Sequence, residues 1–203
     1  MADWIANKED EVPRQDVLVT DFGNVIVDRS KSRATPEEFM DQRPLPFAID
    51  GLSRAVEALT PARVNIVSRV DFPEIETLYR QWLDRWIFPK TGMLSDREHV
   101  RFCKDRVDKG AICYALNATI VIDDRTPVHW SVAKTYGVVV PANVDKHLSK
   151  VNQLSSVDFQ SSPEWLRRFG FNLGLEDRIM HDEWPEGITL VPNWKQIVEI
   201  MQW

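Results

Sequence analysis

Two hydrophobic patterns alternate along most of the chain. Short continuous runs of apolar residues predict buried strands, and these runs are 16–21, 64–68, 100–103, 119–124, 137–140 and 188–191. Segments with apolar residues three and four positions apart predict amphipathic helices between them, at 49–59, 72–86, 110–116 and 128–134. This alternation predicts one α/β domain over 1–203, with a doubly wound, Rossmann-like, mainly parallel sheet and helices on both faces.

Capping signals refine several of these boundaries. Thr35 is followed by Pro36 and by Glu38, the pattern of a helix start with a capping box. That helix would lie in a short insertion, 28–50, between the first and second strands. Asn193 is a good cap for a final helix with Trp194 and later apolar residues at helical spacing.

The pattern weakens between residues 143 and 183. Within this segment, Ser162-Pro163 predicts the start of a short helix that Gly170 would end. We consider two interpretations of the segment: an accessory element that helps to form the site, or a peripheral elaboration of the fold.

Composition and charge narrow the class of protein. The chain has 203 residues and a net charge of −6, so a general nucleic-acid-binding surface is not indicated. Its two cysteines, Cys103 and Cys113, have no metal-binding spacing and are expected to be reduced thiols. No stretch approaches the roughly 20 apolar residues of a membrane span, and the N-terminus lacks a signal core. We therefore expect a cytoplasmic protein without a membrane partner, and we consider a homo-oligomer as its assembly.

Polar residues that suit catalysis follow three of the predicted strands. They are Asp21, Ser68 and the Asp123-Asp124 pair, and Lys109 lies at a predicted helix start shortly before that pair. Each alone has an ordinary structural explanation as a cap, a turn or a solvated charge. Because parallel strands end at one edge of a sheet, however, these side chains are expected to converge there.

These residues resemble the motifs of the haloacid dehalogenase-like hydrolase superfamily, most of whose members are phosphatases or phosphotransferases. Its four motifs are an apolar strand ending in Asp, one ending in Ser or Thr, a lysine, and a strand ending in paired acids. Here they correspond to 17–21 followed by Phe-Gly-Asn-Val, to 64–68, to Lys109 and to 120–124. The resemblance covers residues 16 to about 142, and its first and fourth motifs are the most specific.

The resemblance implies a magnesium-dependent phosphohydrolase that acts through an aspartyl-phosphate intermediate. Asp21 would be the nucleophile, while Ser68 and Lys109 would bind and neutralise the phosphoryl group. Mg²⁺ would be held by oxygen atoms, those of Asp21, the Gly23 carbonyl, Asp123 and Asp124.

Three other residues are weaker candidates. Asn24 and Arg29 follow the first motif and are candidates for substrate binding. Arg29 also begins a basic run with Lys31 and Arg33, which is either a solvated loop or a lip that attracts a phosphorylated substrate. His129, just after the acid pair, is a candidate to approach the site.

Gly23 departs from the family pattern. Phosphatases of the superfamily usually have a second aspartate at this position, which protonates the leaving group and later activates water. Glycine transfers no proton, and such catalysis typically contributes about 10²–10⁴-fold. The protein would therefore use good leaving groups, obtain the proton elsewhere, for example from Asp28, or be a catalytically weak or inactive relative that binds a phosphorylated ligand or protein partner.

Two neighbouring classes fit the sequence less well. A response-regulator receiver uses a similar set of residues, but its acid pair follows the first strand and its lysine comes last. A dehalogenase needs no metal pair and usually has a sizeable helical cap, for which the interval between Asp21 and Ser68 is too short. The small insertion instead predicts an open, nearly capless site for a larger phosphorylated substrate, such as a macromolecular end, or a site covered by a partner subunit.

Overall fold

A computed structural model describes residues 16–29, 35–136, 170–173 and 188–203. Its strands form a parallel six-stranded sheet in the order β3-β2-β1-β4-β5-β6. The strands are β1 (Leu18–Thr20), β2 (Val64–Arg69), β3 (Val100–Cys103), β4 (Ile120–Asp123), β5 (Gly170–Leu173) and β6 (Ile188–Val191). The prediction of an α/β domain with a parallel sheet is confirmed, and this strand order is compatible with a Rossmann-like fold.

Helices flank the sheet on both faces. They are α1 (Pro36–Met40), α2 (Ala48–Leu59), α3 (Pro73–Trp86), α4 (Phe88–Thr91), α5 (Asp108–Ala115), α6 (Thr126–Thr135) and α7 (Trp194–Met201), with a 3-10 turn at Pro61–Arg63. The predicted longer helices are all present, with bounds that differ by at most two residues.

Both predicted N-terminal caps are formed. The Thr35 hydroxyl accepts a hydrogen bond from the Glu38 N–H at 3.2 Å, and the Thr35 N–H donates to the Glu38 carboxylate at 2.7 Å. These two bonds are the predicted capping box. At α7, the side chain of Asn193 accepts from the Gln196 N–H at 3.3 Å.

Strand β5 was not predicted. Gly170 was expected to end a helix, but it begins this strand, which pairs with β4 on one side and β6 on the other. This part of the 143–183 segment therefore belongs to the central sheet. The strand predicted at 137–140 and the helix predicted from Ser162 lie outside the described residues.

The two faces of the sheet differ in what covers them. One face, here called the aromatic face, packs against α1, α2, α3 and α7 and contains most of the large buried side chains. The opposite face, here called the α5–α6 face, has a smaller apolar cluster that includes Val19, Val67, Val121 and Val132. Alternation along the strands produces this division: Leu18 and Thr20 flank Val19, which points to the other side.

Two further observations concern the chemistry of the chain. Cys103 and Cys113 are free and buried, and burial raises the pKa of their thiols to about 11 and about 12. Neither is therefore a reactive thiolate at neutral pH.

Among the described residues, no helix combines the length and the apolar character that crossing a membrane requires.

Candidate active site

The predicted site residues meet at the carboxyl ends of the parallel strands, where all of them except Asp123 and His129 line a pocket. The register aligns Leu18 of β1 with Val64 of β2 and with Ile120 of β4, so these three strands end side by side. The pocket has a volume of about 280 Å³. It is lined by Asp21, Gly23, Asn24, Arg29, Ser68, Arg69, Arg106, Lys109, Asp124 and Arg125.

Asp21 directly follows β1 and is held by its backbone and by one carboxylate oxygen. Its N–H continues the pairing with β4 by donating to the Ile122 carbonyl at 2.8 Å. Its Oδ1 accepts from the Phe22 N–H at 2.7 Å and lies 2.9 Å from the Lys109 Nζ. Its Oδ2 has no hydrogen-bond partner among the described residues, so one oxygen is anchored while the other is available to a ligand.

Lys109 lies between two strand-end carboxylates. Its side chain comes from the first turn of α5, and its Nζ is 2.9 Å from Asp21 Oδ1 and 2.7 Å from Asp123 Oδ2. The residue is only 3% exposed, which by itself would lower the pKa of the ammonium group. Asp123 and Asp21 outweigh this effect and raise the pKa above its ordinary value, so Lys109 stays charged.

Three carboxylates converge beside this lysine. Asp21, Asp123 and Asp124 each place one oxygen within 4.8 Å of the other two. Burial raises the pKa of Asp123 and of Asp124, and the charge of Asp21 raises both further. A cluster that resists full ionisation in this way suits a bound cation, and its all-oxygen donors are those that Mg²⁺ prefers.

Asn24 orders the rim of the cluster. It has a φ of 59°, in the left-handed region that Asn adopts more readily than most residues. Its Nδ2 donates to Asp124 Oδ2 at 2.9 Å, and its Oδ1 accepts from the Arg29 N–H at 3.0 Å. Asn24 was predicted to bind substrate; its contacts within the protein position Asp124 and the Arg29 loop.

Ser68 and His129 occupy different places relative to the pocket. Ser68 is buried one residue before the end of β2 and lines the pocket. His129 contacts the backbone of the acid pair: its Nε2 lies 3.3 Å from the Asp123 carbonyl oxygen, to which it can donate. Burial lowers its pKa to about 4, so the imidazole is neutral at pH 7.

Three arginines of the pocket were not singled out from the sequence. Arg69 directly follows Ser68, Arg125 directly follows the acid pair, and Arg106 precedes Lys109 by three positions. Arg125 also holds the pair, because its N–H donates to Asp123 Oδ1 at 2.9 Å and its Nε lies 3.2 Å from Asp124 Oδ2. In the sequence, only their proximity to the motifs could have identified these arginines as pocket residues.

Arg29 lies across Gly23. A Cβ placed on Gly23 would collide with the Cδ of Arg29 and approach its Cγ to 3.3 Å. The guanidinium carbon lies 5.4 Å from the centre of the Tyr79 ring, a cation–π distance. Arg29 thus covers the position from which an acidic side chain at 23 would extend. The other two residues of the predicted basic run, Lys31 and Arg33, lie outside the described part of the chain.

Comparisons with protein-family models and with curated protein sequences find no match to this chain. The site is therefore interpreted from its own geometry and chemistry.

Proposed function

We propose that this protein is a magnesium-dependent phosphohydrolase of the haloacid dehalogenase-like type, acting through an aspartyl-phosphate intermediate. The observation that carries the proposal is the meeting of Asp21, Ser68 and Lys109 with the Asp123-Asp124 pair at one edge of the sheet. These residues come from three adjacent parallel strands and one helix, and their order along the chain is that of the superfamily motifs.

The arrangement supports a nucleophilic role for Asp21. Its Oδ1 is held by the Phe22 N–H and by Lys109, which leaves Oδ2 to attack phosphorus. The bond between phosphorus and the leaving oxygen breaks as the acyl phosphate forms, and the leaving group departs with that electron pair. Water then attacks the same phosphorus, the bond to Asp21 breaks, and the carboxylate is restored. Ser68, at the neighbouring strand end, would donate a hydrogen bond to a phosphoryl oxygen.

Lys109 allows an anion to enter a pocket that contains carboxylates. Two negatively charged aspartates would repel a phosphoryl group, and the ammonium group between them offsets that repulsion. Because Lys109 is buried and bound on two sides, it needs no rearrangement when charge develops in the transition state.

The carboxylates of Asp21, Asp123 and Asp124 are the side chains that would hold Mg²⁺, with the Gly23 carbonyl as a further oxygen at the pocket wall. When bound, the ion would polarise the phosphoryl oxygens and offset their charge. Asn24 and Arg125 would keep the Asp124 carboxylate oriented, as outer partners of metal ligands commonly do.

Phosphate release tests this proposal. The substrates are aryl and acyl phosphates, sugar phosphates and nucleotides, each assayed with Mg²⁺ and with a chelator. We expect metal-dependent turnover that falls by at least about 10³-fold in Asp21→Asn, because the amide is a poor nucleophile. The matched control is Asp84→Asn, an exposed aspartate of α3 outside the pocket, which should retain full activity.

The second candidate function is binding without turnover. It is favoured by one observation: Gly23, covered by Arg29, supplies no proton donor where the phosphatases have one. In this case the folded protein would release phosphate from no substrate, while Mg²⁺ and a phosphorylated ligand would still raise its unfolding midpoint. That combination of results would replace the hydrolase proposal.

A further inference from the structure

The charges of the pocket are arranged on two sides. The three carboxylates lie at the carboxyl ends of β1 and β4. Of the arginines, Arg29 comes after β1, Arg69 ends β2 and Arg106 comes after β3, and these three strands are neighbours in the sheet. By strand order, Arg69 and Arg106 therefore lie on the β3 side of the acid cluster, and Arg29 lies across Gly23. A phosphoryl group bound beside Asp21 and Lys109 would have this second, positively charged region next to it.

Two of these arginines lack a carboxylate partner among the described residues. Arg29 contacts the Tyr79 ring, and Arg106 is exposed. Arg69 does pair with Asp71 at 3.0 Å, but both side chains are partly exposed, so this pair is readily exchanged for another anion. Like charges gathered around an open pocket favour the binding of an anion there.

Arg29 also favours a leaving group of a particular charge. Its side chain covers Gly23, where an acid would otherwise protonate the departing oxygen. A guanidinium does not give up its proton in a protein, but it stabilises a negatively charged oxygen strongly. The pocket therefore suits a leaving group that departs as an anion.

We propose that the leaving group is itself a phosphate, so that the substrates are phosphoanhydrides such as nucleoside diphosphates or pyrophosphate. This inference rests on the proposed hydrolase function. The Asp21 carboxylate would attack the terminal phosphorus, the P–O bond of the anhydride would break, and its electron pair would leave with the remaining phosphate. Water would then release the second phosphate from Asp21, and the proton would pass to solvent.

One hypothesis thus accounts for two separate features. A phosphate leaving group is weakly basic and needs no proton donor, in agreement with Gly23. It also carries additional negative charge, which Arg29, Arg69 and Arg106 are placed to bind.

The first test compares leaving groups in the Mg²⁺-loaded protein. ADP and AMP share a nucleoside but present an anhydride and an ester, and p-nitrophenyl phosphate has an activated leaving group without phosphate charge. We expect kcat/KM to be at least about tenfold higher for ADP than for either ester. Equal or higher values for AMP or the aryl ester would overturn the inference while leaving the hydrolase proposal intact.

The second test removes the arginines. Arg29→Gln combined with Arg106→Gln should lower kcat/KM for ADP by about 10²-fold, a loss at least about tenfold larger than that for p-nitrophenyl phosphate, whose leaving group carries less negative charge. Arg54→Gln, at an exposed arginine of α2 paired with Asp50, is the matched control and should change neither. A loss of equal size for both substrates would contradict the inference.

Binding provides a readout that does not depend on turnover. In Asp21→Asn, a methylene-bridged ADP analogue should bind at least about tenfold more tightly than AMP, and the double arginine variant should abolish this difference. Equal affinities would overturn the inference. Absence of metal-dependent turnover for every substrate, including the aryl ester, would overturn the hydrolase proposal and the inference together.

Discussion

The two faces of the sheet bury different kinds of side chain. On the aromatic face, Phe22, Phe39, Tyr79 and Trp82 form a connected set of rings with centroids 4.6–6.4 Å apart. Trp194 of α7 is also fully buried there, and its indole N–H donates to the Val25 carbonyl at 2.7 Å. This face buries large apolar surfaces, which contribute most to stability.

The α5–α6 face has a smaller apolar cluster and also buries polar and charged groups. Gly110 of α5 lies so close to α6 that an added Cβ would be 2.7 Å from the Ser131 carbonyl oxygen. Ser131 and His129 are fully buried, and Lys109 nearly so. The close approach of the two helices lets α5 deliver the lysine to the strand ends with little freedom to move.

The difference between the faces indicates a division between stability and chemistry. Phe22 lies beside Asp21, yet its ring packs into the aromatic face, while the Asp21 carboxylate bonds to Lys109 from the other side. We therefore expect damage to the aromatic face to lower stability without altering the site. Damage to the α5–α6 face should affect both properties.

Lys109→Met should have the largest effect. The substitution leaves Asp21 and Asp123 buried without their cation. Removing one partner of a buried ion pair typically lowers the free energy of unfolding by about 3–5 kcal/mol. Turnover should also fall by about 10²–10³-fold, because a preorganised charge is lost. Denaturant unfolding without metal and phosphate release with Mg²⁺ measure the two effects. Lys104→Met, at an exposed lysine, is the control; a stable and active Lys109→Met would refute the division.

Much of this ionic arrangement was predictable because it follows from local sequence. Continuous apolar runs mark where β1, β2 and β4 end, and parallel strands bring those ends together. Asp21, Ser68 and the acid pair could therefore be assigned to one edge of the sheet from the sequence alone. Lys109 was predicted just before a helix and lies in its first turn, a difference too small to move it from the site.

Other features depend on contacts that no local pattern reveals. Strand β5 has four residues, including a glycine and an asparagine, and is held in the sheet by its neighbours β4 and β6. Asn24 bonds to Asp124, which is 100 positions away. Arg69 and Arg106 look like ordinary loop arginines, and only the strand order places both beside the pocket.

Trp82→Ala should have the next largest effect and should be confined to stability. The side chain is fully buried, and its indole N–H donates to the Gln42 carbonyl at 3.0 Å. Truncation of a buried Trp typically costs about 3–5 kcal/mol. Turnover per folded molecule should stay within about twofold of the wild type, measured well below the unfolding midpoint. A larger loss of turnover would mean that the aromatic face also positions Asp21.

A matched pair of glycine substitutions compares the aromatic face with the α5–α6 face and should have the smallest effects. An added Cβ would lie 2.5 Å from the Trp194 ring at Gly51 and 2.7 Å from the Ser131 carbonyl at Gly110. Gly51→Ala and Gly110→Ala should therefore each cost about 1–3 kcal/mol through overpacking. The added methyl groups overfill opposite faces of the sheet. Gly110 is adjacent to Lys109 of the site, whereas Gly51 packs against Trp194.

Only Gly110→Ala should change the activity. Separating α5 from α6 displaces the adjacent Lys109, and small misplacements of a catalytic group lower the rate by about ten- to hundredfold. Gly51→Ala displaces Trp194, which has no contact with the site carboxylates, so its kcat should equal that of the wild type. Urea unfolding and turnover of an activated aryl phosphate measure both variants. Equal turnover losses would show that stability and chemistry are not divided between the faces.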